Sequence, residues 1–64
     1  MIIVLVAEGK GRDSVDFTTI KLFNDVESAN GFIVQNTDME SKYWKGAKII
    51  TEGEKNEMYY DDFL

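Results

Sequence analysis

With 64 residues and neither cysteine nor histidine, the chain has no disulfide, no thiolate or imidazole zinc ligand, and no Cys-His or Ser-His nucleophile pair. A domain this small buries only about 60% of the surface its unfolded form exposes, and it leans on disulfides, a metal or oligomerisation; of these the composition leaves oligomerisation. Twelve acidic residues against seven basic ones, a net charge of −5, argue against direct nucleic-acid binding, where phosphate neutralisation supplies most of the affinity.

Met1 to Ala7 opens the chain as a strand that is apolar on both faces. Ile2, Val4 and Val6 point one way, and Ile3 and Leu5 the other. The run is too short for a signal peptide or a membrane span. The chain therefore reads as a complete, soluble, cytoplasmic product with one domain over 1–64. Glu8 to Ser14 is polar and carries Gly9 and Gly11, so it is expected as the loop of a hairpin.

Val15 to Phe23 is rich in β-branched and aromatic residues and predicts a second strand, with Ile20 and Leu22 on the face opposite Phe17 and Phe23. Asn24 then serves as the expected N-cap of a helix, with Glu27 at its third position in a capping-box arrangement. Val26, Ala29, Phe32 and Ile33 recur at helical spacing and form one apolar stripe. Asn30-Gly31 is a hairpin signal that argues the other way, but Val26 to Ala29 makes a poor strand, and the helix reading is retained. Gly31 costs about 1 kcal/mol against alanine, acceptable where the helix backbone lies close to a sheet. The helix fades near Gln35 to Thr37, and Thr37 to Glu40 offers caps for a further short turn.

Tyr43 to Thr51 predicts a third strand, and Glu57 to Phe63 a fourth, joined by a turn at Glu52 to Asn56. The expected architecture is ββαββ, an α+β fold with an antiparallel-type sheet and one helix packed on one face. A helix is roughly 10 Å across, whereas four strands at about 4.8 Å spacing span nearly twice that. One helix therefore leaves apolar surface uncovered, which predicts a homodimer or larger assembly that stacks the open faces. No proline guards any strand edge.

The pattern of Phe17, Ile20, Phe23, Ala29, Phe32, Tyr43 and Ile49-Ile50 resembles that of very small bacteriophage-encoded αβ proteins of unknown function. The resemblance spans about two-thirds of the chain and rests on core positions, with no functional motif. It implies a protein that acts on host machinery or host defence by binding.

The candidate binding residues are Trp44, Tyr59 and Tyr60, as interface or stacking aromatics, and Lys10 and Arg12 in the first loop, as anion contacts. The loop lacks Walker spacing and precedes a strand, so it offers no helix N-terminus to a phosphate. Asp61-Asp62, with Glu54 and Glu57, lacks the defined ligand spacing of a metal loop, and no metal or cofactor is expected. A half-covered sheet provides no cleft to tune a carboxylate, so the chain is not expected to be an enzyme. Three readings follow. The leading one is a binding protein that inhibits or redirects a host protein through an exposed sheet face or edge. The second is an oligomeric sponge for a nucleotide, and the third an acidic mimic of nucleic acid.

Overall fold

The computed structural model describes residues 1–11, 15–51 and 60–63. Among them, the elements run β1 (Ile2–Lys10), β2 (Phe17–Phe23), α1 (Val26–Gln35), β3 (Tyr43–Ile50) and a 3-10 helix (Tyr60–Phe63). The strands form one antiparallel sheet in the order β2-β1-β3, with α1 packed against it. This is the α+β fold the pattern predicts.

Central position explains β1. Both its edges are paired, to β2 from Ile2↔Phe23 to Glu8↔Phe17 and to β3 from Ile3↔Ile50 to Lys10↔Tyr43. Val4, Leu5, Val6 and Ala7 are all buried, so the two-sided apolar run has two-sided cover. The strand also runs on to Lys10, through residues expected in the loop. Glu8, Gly9 and Lys10 pair with Lys45, Trp44 and Tyr43, and this long-range ladder outweighs the turn signal of the two glycines.

One core layer lies under α1. Val4, Val6, Ala29 and Ala47 are buried together, with Ile2, Phe23, Phe32 and Ile33 packed around them. The Phe23 and Phe32 rings meet at 5.2 Å. Two details of the helix differ from expectation. The N-cap is Asp25, not Asn24: the Asp25 carboxylate accepts from the Ser28 backbone N–H at 2.7 Å, the bond that satisfies an orphan donor of the first turn. Val26, expected in the apolar stripe, is half exposed. Gly31 has open space around an added Cβ, so no close approach to the sheet accounts for it.

The second core layer is the larger correction. Tyr60 to Phe63, expected inside a fourth strand, is a 3-10 helix laid over the opposite face of the sheet; the rest of that expected strand lies outside the described residues. Leu5, Ala7, Trp44 and Ile50 are buried beneath Tyr60 and Phe63, with Ile3, Val15 and Met39 packed alongside. Residues three apart eclipse in a 3-10 turn, so Tyr60 and Phe63 both reach the sheet, whereas in a strand they would point to opposite faces. Gly46 makes the approach possible, because a Cβ there would sit 2.7 Å from Phe63 Cβ and 2.8 Å from Cγ. The face expected to stack on a second copy is thus covered over β1 and β3 by the chain's own C-terminal segment.

Candidate interaction surface at the second strand

Cover on both faces stops at β2. Of its seven residues, only Phe23 is partly buried. Phe17 is 69% exposed, Ile20 42% and Leu22 57%. Register explains the arrangement. Ile20 and Leu22 pair with Leu5 and Ile3 and so share their face, but the 3-10 helix sits over β1 and β3 and does not reach them. Phe17 pairs with Glu8 on the α1 face, near the strand end away from the Phe23–Phe32 contact.

β2 is also an edge strand. Alternate N–H and C=O groups aim away from β1, and none of the described residues pairs with them. The other edge is partly closed. Asp38 forms an isolated bridge to β3, donating its N–H to the Lys45 carbonyl at 2.7 Å and accepting from the Lys45 N–H at 2.8 Å. The loop that supplies Asp38 is held in turn, since the Asp38 carboxylate accepts from the Ser41 hydroxyl at 2.6 Å and from the Glu40 N–H at 3.3 Å. These bonds hold its carboxyl below the usual range, the Ser41 contact contributing most. Among the described residues, no such strap crosses β2.

The expected binding residues are placed elsewhere. Trp44 is 1% exposed, with Tyr60 edge-on to it at 5.4 Å and Phe63 tilted against it at 5.8 Å. Its indole N–H donates to the carbonyl of Gly11, whose φ of +69° is a conformation that favours glycine. The Tyr60 hydroxyl donates to the Met39 carbonyl at 2.8 Å. Both aromatics are therefore core residues with their polar atoms satisfied. Lys10 is exposed at the end of β1, with its ammonium 5.8 Å from the centre of the Tyr43 ring. Lys42 lies at the same distance from that ring. Arg12 and Tyr59 lie outside the described residues.

A cleft of about 390 Å³ opens where Gly11, Ser41 and Lys42 approach the edges of Trp44 and Tyr60. At 1% exposure, Trp44 has no free ring face for a base. Among the described residues, no cluster of carboxylates is arranged to hold a metal, and no helix is long and apolar enough to cross a membrane. Sequence reading overlooked β2 as a site because Phe17, Ile20 and Leu22 looked like core residues. Its one signal was the lack of guards, with no proline and a single charge, Lys21, in the strand. Comparison of the chain with protein-family models, with curated proteins and with solved structures returns no match.

Proposed function

We propose that this chain is a small non-enzymatic binding protein that inhibits or redirects a partner protein by laying β2 against it. The observation that carries this reading is the concentration of exposed apolar side chains, Phe17, Ile20 and Leu22, on the one strand whose outer edge is unpaired among the described residues. An exposed strand edge recognises protein by strand addition: backbone hydrogen bonds supply affinity, and alternate side chains supply specificity. The small phage proteins that the core pattern resembles make a host protein the expected partner.

The test is capture from a bacterial lysate on immobilised protein, followed by titration of the purified captured protein against wild type and two β2 variants. Leu22→Lys puts a charge in the apolar row, and Thr18→Pro removes a backbone donor and stiffens the strand. Both variants should weaken binding at least tenfold while keeping the circular dichroism of the fold, and bound partner should protect β2 amides from hydrogen exchange. A partner that binds both variants as tightly as wild type, or that protects other elements, overturns the reading.

A further inference from the structure

We infer that β2 pairs with β2 of a second copy, antiparallel about a two-fold axis through Ile20, forming a six-stranded sheet that holds the partner-binding edge in reserve. The inference rests on β2 being the binding element and adds how that element is regulated.

Symmetry and side-chain chemistry select the register. Two copies of one edge strand pair antiparallel about an axis perpendicular to the sheet. Each face then continues across the seam, and residues of like parity must stand opposite one another. An axis at Lys21 sets two ammonium groups directly opposite, which is unfavourable. An axis at Thr19 sets Phe17 against Lys21 of the second copy and runs Leu22 and Phe23 past the end of the opposing strand, opposite Asp16 and Val15. An axis at Ile20 pairs all seven residues. Ile20 meets itself, Phe17 meets Phe23, Thr18 meets Leu22, and Lys21 meets Thr19.

That register also extends the sheet's existing rows. Leu5 is opposite Ile20 within one chain, so an unbroken apolar row Leu5–Ile20–Ile20–Leu5 crosses the four central strands. On the α1 face, the most exposed aromatic of β2, Phe17, gains the Phe23 ring, itself already against Phe32.

Area sets the strength. Phe17, Ile20 and Leu22 together leave roughly 300 Å² of side chain exposed per copy, taking about 200 Å² for a fully exposed large apolar residue. With strand backbone and the Thr18 and Lys21 stems added, the two copies together bury at most about 1,000 Å², the lower limit of specific interfaces. An interface of that size belongs to the transient class, so the dimer is reversible and open to displacement by a partner that offers a better strand.

The absence of cysteine makes the register directly testable, because any thiol introduced is the only one. Ile20→Cys lies on the axis, where paired Cα atoms stand about 4.5–5.5 Å apart, within disulfide reach. Leu22→Cys places its two thiols about 13 Å apart along the strands, beyond reach. Under mild oxidation at 50 μM or so, Ile20→Cys should convert to disulfide dimer at least tenfold faster than Leu22→Cys. Sedimentation equilibrium of wild type should show concentration-dependent mass above 7.3 kDa. Ile20→Lys, which sets like charges opposite each other, should return the mass to monomer with the dichroism unchanged. A wild-type monomer at millimolar concentration, or equal cross-linking at positions 20 and 22, overturns the inference. A monomer whose partner binding still depends on β2 removes the dimer and leaves the proposed function standing. A dimer with β2-independent partner binding does the reverse.

Discussion

β2 and β3 flank the same central strand, are nearly equal in length and carry similar shares of apolar residues, yet they meet opposite fates. On β3, Trp44, Gly46, Ala47 and Ile50 are buried, whereas on β2 nothing is fully buried. The difference comes from what lies above and beside each strand. β3 has Ala29 of α1 near Ala47 on one face, Phe63 over Gly46 on the other, and Asp38 strapped along its edge. Among the described residues, β2 is covered on the α1 face near Phe23, which packs against Phe32 and the layer under α1. Two short covering elements among the described residues protect two strands, and the third keeps its apolar side chains exposed. Buried side chains are concentrated on β1 and β3, and β2 is the strand on which the proposed recognition rests.

Substitutions that sharpen this contrast are expected to differ widely in effect. Trp44→Ala removes the centre of the layer under the 3-10 helix and should cost about 3–5 kcal/mol, most of what a domain this size holds. Thermal melts should find it largely unfolded, and a cooperative variant of near-native stability would contradict the core placement of Trp44.

Gly46→Ala should cost roughly 1–3 kcal/mol by forcing Phe63 off the sheet. Phe63→Ala should relieve most of that penalty, so a double-mutant cycle in urea reads the contact directly. Additive costs would show that the C-terminal turn does not cover β3. Asp25→Ala should cost about 1 kcal/mol through the lost cap on α1, and Asn24→Ala much less. Equal losses would place the cap wrongly.

On β2, Leu22→Thr should change monomer stability by less than about 1 kcal/mol, measured at dilution below any association. A loss as large as that of Trp44→Ala would erase the contrast between the two strands. The smallest effect belongs to the Asp38 strap on the β3 edge. Its carboxyl is held below the usual value, so its contribution is complete above the ordinary carboxylate pKa of about 3.9 and fades as pH falls through the lower folded-state value. Between pH 5 and pH 2.5, wild type should lose slightly more urea resistance than Asp38→Asn. Identical acid sensitivity would mean the Ser41 and Glu40 bonds do not outlast solvent competition.

Several residues announced their structure through local chemistry alone. The two-sided apolar run Ile2 to Val6 demanded cover on both faces and has it. Ala29, Phe32 and Ile33 carried the helical spacing, and the helix start was foreseeable to within one residue, with Asn24 expected and Asp25 found, because both are good caps. The alternation of Ile20 and Leu22 against Phe17 and Phe23 was legible because side-chain direction in a strand follows a period of two.

Only the folded molecule decided which apolar residues are covered. Phe17 and Trp44 are both large aromatics in strands, and nothing local distinguishes an exposed ring from one that is 1% exposed. Their separation depends on where the last residues of the chain lie. Tyr60 and Phe63, three apart, share a face only if their backbone coils, and that coil forms where Gly46 leaves room for Phe63 and the Met39 carbonyl is placed to accept from Tyr60. Sequence periodicity records which way a side chain points relative to its neighbours. What it points at is set by contacts between residues up to several tens of positions apart, and those contacts left β2 open.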